Sequence, residues 1–180
     1  MDALMPIACQ PMQISGRNFL WRHVITEAIR NDPDWHGGDY EKQPTRWLSV
    51  LPLQTMMLET PVRLQAAGPT RDKAKELFDR IVDTGRKTRD ANDSLYQFDS
   101  SWDYDPEPNL GKIEAKLWAV NFADDPVNPV ELNVMDRLMA KVPNGRLITM
   151  PASSQSFGHS NVYHPETWRD YVAEFLKSLP

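Results

Sequence analysis

Apolar positions along the chain change their spacing twice, and each change marks a different kind of structure. Ala3 to Cys9 is a short apolar run without alternation, the pattern of a strand covered on both faces. Ser15 stands where an N-cap belongs, ahead of a predicted helix from Arg17 to Asn31. Leu20, Val24 and Ala28, flanked by Trp21, Ile25 and Ile29, give that helix a broad apolar face. Asp32-Pro33 ends it, and Gly37-Gly38 marks a turn. From Trp47 to Ala67 a Leu- and Met-rich stretch is broken by Pro52 and Pro61, so several short helices are expected there. Thr70 is placed to cap a helix ending near Gly85, with Ala74, Leu77, Phe78, Ile81 and Val82 on one side. Asp90 to Phe98 predicts a further, shorter helix.

After Pro106-Glu107-Pro108 the pattern turns to buried strands. Lys116 to Phe122 and Arg146 to Met150 read as two of them. Between them, Asn128-Pro129 predicts the start of a helix reaching Lys141, with Val130, Val134, Leu138 and Met139 at helical spacing. A polar loop from Pro151 to Asn161 leads to a last helix over Glu166 to Leu179, expected to bury Trp168, Tyr171, Val172, Phe175 and Leu176. Strand, helix, strand, helix at this spacing predicts an α/β fold with a parallel sheet. The expected organisation is a first core strand and loop over 1–14, a mostly helical region over 15–112 and an αβ core over 113–180. Three such strands alone leave a bare hydrophobic edge and an under-covered face, which implies that further structure belongs to the sheet.

Composition narrows the function classes. The chain is 41% hydrophobic and 25% charged, which excludes collagen, coiled coil and long disorder. Its net charge of -5 comes with no basic stripe, so nucleic acid is not the expected partner. The single cysteine, Cys9, permits no intrachain disulfide and no cysteine-based zinc site; inside an apolar run it reads as a small buried hydrophobe. No apolar run approaches the roughly 20 residues a bilayer demands, and Met1 to Cys9 lacks the basic region of a signal peptide. As written, the chain is expected to be soluble and cytoplasmic, without a membrane partner; a longer precursor would reopen the question of compartment.

In open parallel sheets, ligands bind beyond the carboxyl ends of the strands. Two polar runs occupy such ends here: Ala123-Asp124-Asp125-Pro126-Val127-Asn128-Pro129 and Ser153-Ser154-Gln155-Ser156-Phe157-Gly158-His159-Ser160. They lie one αβ unit apart, so adjacent strands would bring an acid beside an imidazole, as a histidine general base requires. Residue type alone does not separate Asp124 from Asp125, and a carboxylate pair near a helix start also suits the helix dipole.

An acid after one strand and Gly-His after the next resembles the C-terminal part of an α/β-hydrolase. Ala8-Cys9-Gln10-Pro11 and the run Ala28-Ile29-Arg30-Asn31-Asp32-Pro33-Asp34-Trp35-His36-Gly37-Gly38-Asp39-Tyr40 are similar to the homoserine O-acetyltransferase branch of that superfamily. The resemblance implies a partial α/β-hydrolase fold: three parallel strands, flanking helices and a helical lid inserted after the first. It implies Asp125, in Asp-Pro-Val-Asn-Pro, as the triad acid and His159 as the base. In such enzymes a serine on a Gly-x-Ser-x-Gly elbow attacks an acyl donor, often acetyl-CoA, and passes the acyl group to an alcohol or water. No bound cofactor is implied; acetyl-CoA or another acyl donor would be a co-substrate, and related enzymes pair through their lids, so a homodimer is expected.

The sequence departs from that pattern in three places. No Gly-x-Ser-x-Gly occurs in it, and in the family the elbow lies just before the strand that here begins at Ala3. Ser160 follows the histidine where the acetyltransferases carry an aspartate, and the lid arginine that holds the homoserine carboxylate falls among Ser49 to Pro52. The expected activity is therefore serine-dependent acyl transfer, as an acyltransferase or esterase, with homoserine a poor acceptor and the nucleophile segment absent from the chain, whether lost, mis-annotated or supplied by a separate N-terminal half. The rival reading is a non-catalytic remnant that works as a binding or dimerisation module. Trp21, Met56 and Met57 are candidates for an acyl pocket, with burial in a lid face as the alternative. Ser153, Ser154, Ser156 and Ser160 sit on no strand-to-helix elbow, and His159 with His164 matches no usual metal spacing.

Overall fold

The computed structural model describes residues 2–179, which divide into two compact units. One comprises the stretch up to Met12, Met57–Thr60 and everything from Asp105 onward; the other comprises Gln13–Met56 and Pro61–Tyr104.

The first unit is built on a parallel sheet of order β1-β2-β3, with β1 at Ala3–Leu4, β2 at Lys116–Phe122 and β3 at Gly145–Met150. Parallel neighbours need a crossover. Between β2 and β3 it is made by a 3-10 turn at Val130–Leu132 and helix α6 at Val134–Met139. Side chains of β2 alternate between two cores. Leu117 and Ala119 pack with Leu110, Met135, Leu138 and Val142 on one side, while Trp118 and Val120 pack with Ile148 and Phe175 on the other. Phe175 comes from the last helix, α7, at Arg169–Lys177. Full burial of a Val, Ile or Phe contributes about 1.5–3 kcal/mol, so residues such as Val120 and Phe175, at 0% and 4% exposure, anchor the helix to the strand.

Several expectations change here. The strand expected over Ala3 to Cys9 is only two residues long and half-buried, because Pro6 has no N–H to give a ladder. Pairing resumes beyond it through Ile7 opposite Val120, with Ala8 N–H donating to the Val120 carbonyl at 2.8 Å. The single helix expected from Asn128 to Lys141 is broken at Asn133, whose φ of 50° is left-handed. The last helix is shorter than expected, with Leu176 60% exposed and only Phe175 fully buried.

The second unit is helical: α1 (Gly16–Arg30), α2 (Leu51–Leu58, whose last two residues group with the first unit), α3 (Pro61–Ala67), α4 (Arg71–Thr88) and α5 (Ala91–Asp99). A proline close to the start of both α2 and α3 explains why this stretch is segmented. Trp21, Ile25 and Ile29 form the buried face of α1, whereas Leu20 and Val24 are exposed. Ser15 precedes α1 without making a side-chain cap bond, while Thr70 and Asp90 cap α4 and α5 by accepting from Lys73 N and Asp93 N. Helix α4 runs three residues past Gly85 and, of its expected face, buries only Val82; Gly85 is buried as well. Gly85 leaves room for the side chains packed on α4, since a Cβ there would come within 2.4 Å of Leu51 Cδ1.

The Gly-Gly-Asp-Tyr run has a structural role in this unit. Tyr40 Oη donates to Asp90 Oδ1 at 2.9 Å, and Asn92 Nδ2 donates to the Gly38 carbonyl at 2.9 Å, so the turn is tied to the start of α5. Asp32, 5% exposed, accepts from Asp34 N and Trp47 N and so fixes the chain after α1.

Candidate active site

The two polar runs that leave β2 and β3 converge in the α/β unit. Asp125 is 1% exposed, and each of its acceptor positions is occupied. Oδ1 accepts from Val127 N at 2.7 Å and Asn128 N at 3.2 Å; Oδ2 meets Asn128 Nδ2 at 3.0 Å and His159 Nδ1 at 2.8 Å. An ionised carboxylate only accepts. Against an ionised Asp125, Nδ1 of His159 is the donor, an arrangement that in a neutral ring puts the lone pair on Nε2. That nitrogen has no hydrogen-bond partner among the described residues, and the His159 side chain is 22% exposed.

The geometry separates the two adjacent carboxylates. Asp124 turns the other way and accepts from Ser156 Oγ at 2.9 Å. The histidine loop is held from within by Asn161, 2% exposed, whose Nδ2 donates to Ser156 Oγ at 2.9 Å and the Gly158 carbonyl at 2.7 Å. Its Oδ1 accepts from Phe157 N at 3.2 Å, and its carbonyl accepts from Trp168 Nε1 at 3.0 Å. Gly158 has φ +60°, and a Cβ there would lie 3.1 Å from both the Leu58 carbonyl oxygen and Pro126 Cδ. A glycine lets the loop pass between Met57–Thr60 and the acid loop.

Asn128 is the bridge that residue spacing did not reveal. Expected only at a helix start, it also donates through Nδ2 to the Ala8 carbonyl at 2.9 Å, joining the acid loop to the end of β1. Asn121 Nδ2 makes the neighbouring link to the Cys9 carbonyl at 3.0 Å. Ala8 has φ 51°, so the chain turns sharply where these asparagines grip it. Nothing in an isolated sequence distinguishes such an asparagine from a capping one; the second partner lies 120 residues away.

The other candidates are dispersed. Trp21 is buried in the helical unit, edge-on to Phe98 at 5.3 Å, and Met56, in the same unit, is 59% exposed. Met57 is buried and groups with the α/β unit. Ser153 Oγ accepts from Gln155 N, and Ser156 is engaged as described; among the described residues no hydroxyl or thiol hydrogen-bonds His159. Burial pushes the Cys9 thiol up to about 11, which keeps it protonated and unreactive. His164 stacks on Phe157 at 3.5 Å and pairs with Glu166 at 2.9 Å. Among the described residues no three His, Cys, Asp or Glu side chains converge as metal ligands, and no helix is long and apolar enough to cross a membrane.

No protein-family model and no curated protein matches the chain. Solved structures do. Homoserine O-acetyltransferase from Bacillus anthracis superposes with a TM-score of 0.84 at 18% identity, over 99% of this chain and 54% of that one. Esterase E22 gives 0.83 at 18% identity, over 98% and 54%, and an acetylester hydrolase from Corynebacterium glutamicum gives 0.78 at 17%, over 98% and 54%. The chain thus has the α/β-hydrolase fold and spans about half the length of the structures it matches.

Proposed function

We propose that this chain carries the acid and base of a serine-dependent acyl transfer, as part of an acyltransferase or esterase whose nucleophilic serine lies outside these 180 residues. The observation that carries the reading is the buried, fully hydrogen-bonded Asp125 holding His159 Nδ1 at 2.8 Å while Nε2 stays uncommitted. A lone pair fixed in direction by a buried acid is what a general base requires. That the structural neighbours include both an acetyltransferase and esterases supports acyl chemistry, since the two reactions share their first half.

In that reaction Nε2 takes the serine proton as oxygen bonds to the acyl carbon. The imidazolium, stabilised by Asp125, then gives the proton to the departing group as its bond to that carbon breaks. An alcohol or water repeats the cycle on the acyl-serine, with His159 again accepting the proton. Acetyl-CoA or a simple acyl ester would serve as donor. Homoserine is not the acceptor we favour, because Ser160 stands where an amine-binding aspartate would be needed.

The test mixes the chain with the polypeptide encoded in frame immediately before Met1 and adds a serine-directed fluorophosphonate. The mixture should be labelled on the upstream polypeptide, and replacing His159 by Ala should prevent it. The isolated chain should stay unlabelled. Labelling of the isolated chain, or undiminished labelling with His159→Ala, would overturn the assignment; an unlabelled mixture would leave the binding-module reading in its place.

A further inference from the structure

The helical unit contains a cleft of about 190 Å³ between the start of α1 and the segment that follows α5. Its walls are aromatic. Phe19 stacks on His23 at 5.1 Å and meets Trp102 at 5.9 Å, and Phe98 contributes to the lining. Trp102 is 71% exposed, an unusual exposure for so large a ring with no interface to serve.

The polar groups of the cleft are unequally committed. Asp99 is paired with Arg30 at 2.5 Å. The hydroxyls of Thr26 and Ser101 donate to the carbonyls of His23 and Phe98. Arg22 is different. Its Nε donates to Asn18 Oδ1 at 2.9 Å and its guanidinium lies over the rings of Trp21 and Phe98, at 5.0 and 5.6 Å. Among the described residues neither Nη nitrogen has a hydrogen-bond or carboxylate partner. Partial burial lowers the pKa of this guanidinium from its ordinary value, a sign that its solvation is incomplete. A half-desolvated cation with two free donors, walled by rings and facing no uncommitted acid, is complementary to an anion with an apolar body.

We propose that this cleft binds a small monocarboxylate with a compact, single-ring apolar body, its carboxylate on the Nη edge of Arg22 and its ring packed against the touching Phe19 and Trp102 rings. The size agrees: an apolar cavity of about 150 Å³ accepts benzene, and the additional space here suits a carboxylate. Planar, two-pronged recognition of a carboxylate is the geometry in which arginine outperforms lysine. The site lies in the helical unit alone and does not depend on the reading given to Asp125 and His159.

Phenylacetate titrated into the full chain, with the Trp102 indole N–H followed by NMR, tests this. The expected result is a saturable shift that weakens with salt, with phenylacetamide at least tenfold weaker. Arg22→Met should cost at least tenfold in affinity. If circular dichroism shows that variant unfolded, Trp102→Ala, at an exposed position, replaces it and should weaken binding severalfold as measured by calorimetry. Equal affinity for acid and amide, no saturation at tens of millimolar, or full affinity in the folded variant would overturn the proposal.

Discussion

Replacing Asn128 by Ala removes two hydrogen bonds from the place where the acid loop meets β1. Its Nδ2 donates to Asp125 Oδ2 at 3.0 Å and the Ala8 carbonyl at 2.9 Å, and all three residues are at most 8% exposed. The bond to Asp125 is charge-assisted and contributes about 1.5–3 kcal/mol. The Ala8 carbonyl, left without its side-chain donor, adds a penalty on the order of 1 kcal/mol. The backbone donors at Val127 and Asn128 remain, so Asp125 keeps two of its partners besides His159. The expected loss is therefore about 2–4 kcal/mol. With a urea dependence of about 2 kcal/mol per molar, the unfolding midpoint should fall by about 1–2 M. Urea titration monitored by circular dichroism measures this directly. A shift below about 0.3 M, equivalent to an ordinary surface substitution, would refute the claim that Asn128 clamps the acid loop.

Further outcomes follow from the same geometry. Gly158→Ala forces a left-handed φ and a crowded Cβ, and thermal unfolding should show a loss of about 1–3 kcal/mol. Glu107, hydrogen-bonded by Arg137 and by Lys141 at 2.6 Å, has its carboxyl lowered from 4.5 to about 2. Because the folded value lies below the unfolded one, its stabilisation is present above about 4.5 and is lost as pH falls toward about 2. Glu107→Gln should flatten that part of the stability curve by slightly lowering the plateau above it, the effect being small because solvent screens these groups. Nitrogen NMR of His159 at neutral pH should find the proton on Nδ1, and Asp125→Ala should abolish that preference; the Nε2–H tautomer in the unaltered chain would contradict the geometry.

The strands and their loops were legible because they follow local rules. Lys116–Phe122 is built around the apolar run Leu117–Val120 with turn residues beyond it, and the acid and histidine fall at the ends of neighbouring strands. What escaped was non-local. Asn133 breaks a helix that spacing alone would continue, since a left-handed residue costs little at asparagine and leaves no mark in the apolar pattern. The alternation on α4 predicted a buried face, yet Ala74 and Phe78 are exposed, because amphipathicity states which face is apolar and not what covers it. Asn128 and Asn161 looked like capping or loop residues, and only the fold brings them Ala8, Ser156 and Gly158 as partners. By residue type Asp124 and Asp125 were equivalent and only the resemblance preferred Asp125; the backbone N–H groups that gather on Asp125 are visible in the fold alone.

The central claim is that Asp125 and His159 act as the acid and base of acyl transfer. It is tested most directly by turnover of 4-nitrophenyl acetate in the chain mixed with any polypeptide encoded in frame before Met1. Asp125→Asn leaves the fold and the histidine in place but offers Nδ1 the wrong partner, and the account predicts a fall in kcat of about 10⁴-fold. His159→Ala should lose at least as much. Turnover within a fewfold of the unaltered protein in either variant would remove the pair from the chemistry.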